Sequence, residues 1–255
     1  MNFKPKLVAF DLDGTLAESK QRVTPQIGEL LSKLLAVMPV AVLSGGSWRQ
    51  FESQLLPALP EQTHKERLYL MPVSAAQCYV FEHDIWKTRY DNSFGTAEKS
   101  RILQALKEVL EEVKFEQPPR LYGEQIEDRG AQITWSANGQ QAPLDVKVKW
   151  DPDRRKRLPI REALMRRVPD ISVGVNATNS IDITHKGINK AYGIRKLIEF
   201  TQISISEMLY VGDALQEGGN DAVVKDTGIH TYEVIGPEET AQLIQTIIAG
   251  APHLR

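Results

Sequence analysis

Continuous apolar runs and helically spaced apolar stripes alternate at both ends of this chain, and the middle reads differently. Leu7-Val8-Ala9-Phe10 is apolar throughout, the pattern of a strand buried on both faces. Thr24-Pro25 opens a helix, with Thr24 as N-cap and Pro25 in the first helical position. Ile27, Leu30, Leu31, Leu34 and Leu35 then fall on one helical face. Val40–Leu43 is a second buried strand, and Ser47 with Gln50 reads as a capping box opening the next helix. This rhythm predicts parallel βαβ units.

From Tyr79 onward the pattern changes. Tyr79–Phe81 and Ile85–Lys87 read as a hairpin around His83-Asp84, and Ala97–Val113 as a long amphipathic helix. Ala131–Ala137 and Leu144–Trp150 alternate apolar with polar or charged residues, which predicts antiparallel strands with one wet face. A helix over Pro159–Val168 and strands over Ile171–Val175 and Ser180–Ile183 follow. The core rhythm then resumes: a helix from Asn189 to Phe200, the buried strand Met208–Val211, a helix after Asn220, the strand Ile229–Glu233 and a last helix over Pro237–Ile248. The expected organisation is an α/β core in two pieces, residues 1–82 and 184–255, with an inserted domain at 83–183.

Composition narrows the function classes. The 255 residues are 42% hydrophobic and 25% charged, which suits a soluble globular chain. The single cysteine, Cys78, allows no internal disulfide and no cysteine-based zinc site. No apolar run approaches the roughly 18–20 residues of a membrane span, and the run Leu7–Phe10 stops too soon for a signal peptide. A cytoplasmic protein without membrane partners is expected; a homodimer stays open. The net charge of −2 speaks against a polyanion binder. Between Asp145 and Arg167 nine Lys/Arg face four acids, with Trp135 and Trp150 close by. This stretch reads as a solvated face with snorkelling lysines on a Val146/Val148 strand rather than a nucleic-acid surface.

The candidate chemistry sits at strand ends, where ligands bind in parallel α/β sheets. Asp11-Leu12-Asp13-Gly14 directly follows the first strand. Paired carboxylates there do not suit core packing, because a buried unpaired charge costs several kcal/mol; a solvated Asx-type turn is the competing reading. Gly212-Asp213 and the trailing Gly218-Gly219-Asn220-Asp221 follow another buried strand. Asp213 lies beside Asp11 if the two strands are neighbours. Carboxylates gathered at one edge repel unless a cation neutralises them, and hard oxygen ligands favour Mg²⁺. The competing reading is a glycine-rich loop capped by Asn220. Ser44-Gly45-Gly46-Ser47 offers a hydroxyl and N–H groups ahead of a helix, an anion cradle. Lys190 opens a helix whose dipole it opposes, which a bound phosphate explains; Lys186 or a plain surface lysine competes.

Taken in order, Asp11-x-Asp13-Gly14-Thr15, Ser44, Lys190 and Gly212-Asp213 with Asn220-Asp221 resemble the four motifs of the haloacid dehalogenase superfamily. The insert resembles the family's C2-type cap, found in subfamily IIB, which includes Cof-type sugar phosphatases and eukaryotic-type phosphomannomutases. Gly45-Gly46-Ser47, Gly218-Gly219-Asn220-Asp221 and Ser180-Ile181-Asp182 match the phosphomannomutase subgroup. The resemblance implies a doubly wound parallel-sheet core with an inserted α+β cap. It implies Asp11 as nucleophile and Asp13 as acid and base, with Mg²⁺ held by Asp11, the Asp13 carbonyl and Asp213, and Asp221 and Asn220 in support. Ser44, Gly45 and Lys190 would bind phosphate.

The implied cap contacts are Arg129, Gln140, Ser180 and Asp182. The phosphomannomutase cap grips a second phosphate with several arginines. Here Arg129 is kept, Tyr122 stands at a second such position, and Gly139-Gln140 replaces a glycine-arginine pair. Glutamine lacks the fixed charge and fork of arginine. The expected activity is therefore hydrolysis of a small phosphorylated sugar, with hexose-phosphate mutase as the alternative.

Overall fold

Five residues that are all apolar up to the last one make β1 (Leu7–Asp11), and every one of them is buried. The computed structural model describes residues 3–175 and 178–250. After β1 the chain forms α1 (Pro25–Val37), β2 (Val40–Leu43), β3 (Leu68–Met71), β4 (Gln77–Glu82) and β5 (Ile85–Asp91). Next come α2 (Thr96–Glu112), β6 (Ile126–Asp128), β7 (Gln132–Ser136), α3 (Leu144–Trp150), α4 (Arg157–Arg167), β8 (Ile171–Gly174) and β9 (Ser180–His185). The chain finishes with α5 (Lys190–Thr201), β10 (Met208–Gly212), β11 (His230–Glu233) and α6 (Pro237–Gly250).

Contacts divide the chain into two compact units, Met1–Asp91 with Ile188–Arg255, and Asn92–Gly187. The first unit therefore runs past residue 82, because β5 pairs with β4 and extends the large sheet. That sheet has the order β11-β10-β1-β2-β3-β4-β5. Its first five strands are parallel, and the β4–β5 hairpin is antiparallel. β1 lies between β2 and β10, so three candidate loops leave the same edge of adjacent strands. Thr24 caps α1 by accepting from the Ile27 N–H at 3.3 Å, and the stripe Ile27, Leu31, Leu34, Leu35 joins the core below the sheet. Among the described residues, no helix is long and apolar enough to cross a membrane.

The second unit holds a four-stranded antiparallel sheet, β6-β7-β9-β8. Ile133, Trp135, Ile181 and Ile183 pack from one face against Ile102, Leu106 and Val109 of α2 and Ile160 and Leu164 of α4. The opposite face of β7 and β9 is polar; its β7 positions are all buried, and Asp182 and Thr184 of β9 are half-buried. There Gln132 donates to the Thr134 hydroxyl at 2.9 Å, and Thr134 to Asp182 at 2.8 Å.

Leu144–Trp150 is a helix, not the strand its alternation predicts. A seven-residue window with period two is short enough for backbone context to decide, and extended Pro143 leads into a turn whose Asp145 and Lys149 sit 3.8 Å apart at i,i+4. The segment after Asn220 is a single 3₁₀ stretch, Ala222–Thr227, rather than a full helix.

The basic stretch also contains a buried ion pair. Arg157 donates from Nε to Asp151 Oδ2 at 2.8 Å and from an Nη to the Ser180 carbonyl at 3.1 Å, and both side chains are inaccessible. Removing one partner of such a pair strands a buried charge, at about 3–5 kcal/mol. Arg157→Met is therefore expected to lower unfolding free energy by about that amount, measured by urea denaturation; a loss within experimental error would show that Asp151 is not held by this pair.

Candidate functional site

Three loops of the first unit leave the carboxyl ends of β1, β2 and β10, and the turn after β3 and the start of α5 join them. Pairing of β1 with β10 sets Phe10 against Val211, so Asp11 falls opposite Gly212 and Asp213 follows one residue on. Gly14 has φ +85°, and a Cβ there would lie 2.4 Å from Asp213 Oδ2. Glycine at this position allows both the turn and the approach of Asp213. Thr15 donates to Asp213 Oδ1 at 3.4 Å.

Asp221 is fully buried, and Asp11 is 4% exposed. One carboxylate oxygen from each of Asp11, Asp213 and Asp221 lies within 4.8 Å of the others. Such a set of hard oxygen donors suits a divalent cation. Lys190, 2% exposed, is delivered by the start of α5, where Asn189 caps the helix by accepting from the Tyr192 N–H at 3.1 Å. Its ammonium contacts Asp11 Oδ1 and lies 2.5 Å from Asp221 Oδ1. Tyr210, buried on β10, also donates to Asp221 Oδ1 at 2.5 Å, and the Ala214 N–H donates to Oδ2 at 3.3 Å.

Burial pushes the Asp11 carboxyl up to about 7; Lys190 pulls it down, while the charges of Asp221 and Asp213 push it up further. Asp213 is raised too, by burial first and then by Asp221. Lys190 moves the opposite way from what its burial alone would give, being raised because Asp11 and Asp221 hold its charge.

Ser44 ends β2 and is buried. Its hydroxyl donates to Gln50 Oε1 at 2.8 Å and accepts from the Gly46 N–H at 3.0 Å. Asp13 accepts from the Lys20 N–H at 2.7 Å and from Gln50 Nε2 at 2.5 Å. The turn after β3 braces this loop: the N–H groups of Val73 and Ser74 donate to the carbonyls of Gly46 and Ser44, both at 2.8 Å. Ser47 makes no side-chain cap, and the helix it precedes is one short turn, Trp48–Gln50, continued as a π-helix over Phe51–Leu55. The expected capping box is absent because the Gln50 amide is spent on Ser44 and Asp13.

The haloacid dehalogenase-like hydrolase family profile matches residues 8–221, which takes in every loop just described. The chain belongs to the haloacid dehalogenase-like hydrolase family. In sequence it is 25% identical to a phosphomannomutase of Spinacia oleracea over 246 residues, covering 94% of this chain and 90% of that protein. Against the phosphomannomutase of Saccharomyces cerevisiae it is 22% identical over 248 residues, 94% of each chain. In fold it is similar to a C-terminally truncated Plasmodium falciparum IMP-nucleotidase, with TM-score 0.73 and 17% identity over 96% of this chain and 72% of that one.

In this member of the family, Asp11, Asp13, Ser44, Lys190, Asp213 and Asp221 converge within the first unit, with Gly45 in the same loop. Asn220 is exposed beside Asp221. The remaining expected residues lie in the second unit. Arg129 pairs with Glu127 at 2.7 Å. The Gln140 amide donates to the main-chain carbonyls of Gln125 and Thr134 at 3.0 and 3.2 Å, so it fastens β6 to β7. Ser180 and Asp182 share the polar sheet face with Thr134 and Ser136. Two contributors carry no sequence signal of their own. Tyr210 reads as one more apolar strand residue, and Gln50 reads as a cap partner.

Proposed function

We propose that this chain is a Mg²⁺-dependent phosphohydrolase that cleaves a small phosphorylated sugar through an aspartyl-phosphate on Asp11. The observation that carries this reading is the buried Asp11 carboxylate at the end of a central strand, bracketed by Lys190 and by Asp213 and Asp221. In the first step, Asp11 attacks phosphorus; the bond to the sugar oxygen breaks, and that oxygen takes its proton from Asp13. In the second, Asp13 takes a proton from water, water oxygen attacks the acyl-phosphate, and Asp11 and inorganic phosphate are released. Ser44, the Gly45 loop and Lys190 hold the equatorial oxygens where charge accumulates. Asp11, the Asp13 carbonyl and Asp213 would hold Mg²⁺, with Asp221 and Asn220 behind them; when bound, the ion would offset the charge of carboxylate and phosphate meeting. Ser180 and Asp182 are the groups proposed to recognise the sugar. The lone, buried Cys78 fits a cytoplasmic setting.

A second reading, hexose-phosphate mutase, is favoured by the phosphomannomutases that match nearly the full chain. Hydrolysis is preferred here because Gln140 is engaged with main-chain carbonyls and Arg129 with Glu127, which weakens a grip on a second phosphate. A hexose- and triose-phosphate panel with Mg²⁺, with and without a hexose 1,6-bisphosphate, separates the two. Free phosphate without dependence on bisphosphate supports hydrolysis; isomerised sugar phosphate that requires bisphosphate overturns it.

The cation reading predicts a pH-dependent stabilisation. A carboxyl raised from 3.8 to about 7 on folding is least costly when protonated. Its contribution to stability is fully present below the unfolded value and is lost as pH rises through about 7. A cation binds the deprotonated form. The rise in melting temperature on adding Mg²⁺ is therefore expected to be larger at pH 8 than at pH 5, as read by thermal-shift measurement. A rise that is equal or larger at pH 5 contradicts the assignment.

A further inference from the structure

The Gln50 side chain touches both Asp13 and Ser44. Its Nε2 donates to Asp13 Oδ2 at 2.5 Å and to Gln54 Oε1 at 3.0 Å, and its Oε1 accepts from the Ser44 hydroxyl at 2.8 Å. Both N–H donors of the amide are thereby used, while its oxygen accepts from Ser44. Two features of the chain exist around this arrangement. A Cβ at Gly46 would fall 1.5 Å from Gln50 Oε1, so glycine there makes room for the amide. The π-helix over Phe51–Leu55 begins at the next residue; such insertions reset side-chain register and occur often at functional sites.

We propose that Gln50 is a positioning residue for proton transfer: it fixes the Asp13 carboxyl relative to the Ser44 hydroxyl, so that the acid meets the leaving oxygen of a phosphoryl group held by Ser44. This deepens the phosphohydrolase reading and rests on its assignment of Asp13. In kcat/KM, which covers only the steps up to the acyl-phosphate and not its hydrolysis, a displaced Asp13 matters only where the leaving oxygen needs a proton. An alkyl phosphate such as a hexose 6-phosphate needs one, whereas p-nitrophenolate leaves without it.

The test compares kcat/KM for the best sugar phosphate of the panel with that for p-nitrophenyl phosphate. The proteins are wild type, Gln50→Ala, Gln50→Glu and Asp13→Asn, each with Mg²⁺. Gln50→Ala is expected to lose about 10–100-fold on the sugar phosphate and less than about 3-fold on the nitrophenyl ester, since misplacement of the acid leaves the cradle intact. Gln50→Glu keeps the shape and the acceptor for Ser44 but sets a carboxylate against Asp13. It should lose at least as much as Gln50→Ala on the sugar phosphate; wild-type activity there would overturn the inference. Equal losses on both substrates would also overturn it, because general loosening of the loop has that signature. Asp13→Asn separates the levels. If it discriminates between the substrates and Gln50→Ala does not, the Gln50 inference alone falls; if it spares both, the Asp13 assignment falls and takes the inference with it. Melting curves of the two Gln50 variants guard against misfolding, with Gln50→Glu deciding if Gln50→Ala is unstable.

Discussion

Asp11→Asn is expected to abolish turnover while leaving the fold intact or firmer. Loss of a nucleophile that works within a coupled set costs about 10⁴–10⁶-fold in kcat, and an amide cannot form the acyl-phosphate. The stability effect has the opposite sign. Asp11 is held at about 7, first by burial, so at pH 8 its charge is a cost that the folded chain carries. Asparagine keeps the shape and removes that charge, and Lys190 retains Asp221 as a partner. Without divalent cation at pH 8, the variant should therefore melt at or above the wild-type temperature. Phosphate release combined with differential scanning calorimetry reads both effects. A variant that loses stability along with activity would mean that Asp11 is a structural anchor.

Lys190→Met should be damaging in both respects. Its ammonium is the cation shared by Asp11 and Asp221 in a pocket closed to solvent. Deleting one partner of a buried charge cluster costs about 3–5 kcal/mol, and deleting a donor to the developing phosphoryl charge costs about 10²–10³-fold in kcat. The sign of the pH effect follows from the acids left behind. At pH 5 the Asp11 carboxyl, raised to about 7, is protonated, so losing Lys190 exposes little repulsion. Toward pH 8 Asp11 gives up its proton with no ammonium beside it, and the destabilisation grows. The gap in melting temperature between wild type and variant should widen from pH 5 to pH 8 and narrow when Mg²⁺ is added at pH 8. A constant gap would show that Lys190 acts by packing alone.

The sequence was most legible where one physical cause dominates. Apolar runs such as Leu7–Phe10 and Met208–Val211 are too short for a buried helix and fit doubly buried strands, and the polar residues that interrupt them stand out as strand-end chemistry. Asp11, Asp13 and Asp213 were visible for that reason. Thr24-Pro25 was readable because capping is local. Legibility failed where two causes compete. Leu144–Trp150 alternates like a strand, yet a wet seven-residue segment has no buried face to hold it extended, and it winds into a helix. Gln50 sits three residues after Ser47, the capping-box spacing, but its amide finds stronger partners in Asp13 and Ser44, which only the tertiary structure brings near. Tyr210 was invisible because its ring looks like core and its hydroxyl meets Asp221 across a turn. Gln140 illustrates the reverse case. The resemblance marks it for substrate, whereas its hydrogen bonds are to its own sheet.

The central claim is covalent transfer through Asp11, and rapid-quench intact-mass spectrometry tests it most directly. With Mg²⁺ and the best sugar phosphate, the protein should gain one phosphoryl group within the first turnover, with peptide mapping to Asp11. With p-nitrophenyl phosphate, whose leaving group needs no proton from Asp13, the adduct should form and persist in Asp13→Asn, which cannot activate water, and be absent from Asp11→Asn. Phosphate release without a phosphoryl adduct, or an adduct at another residue, would contradict the account.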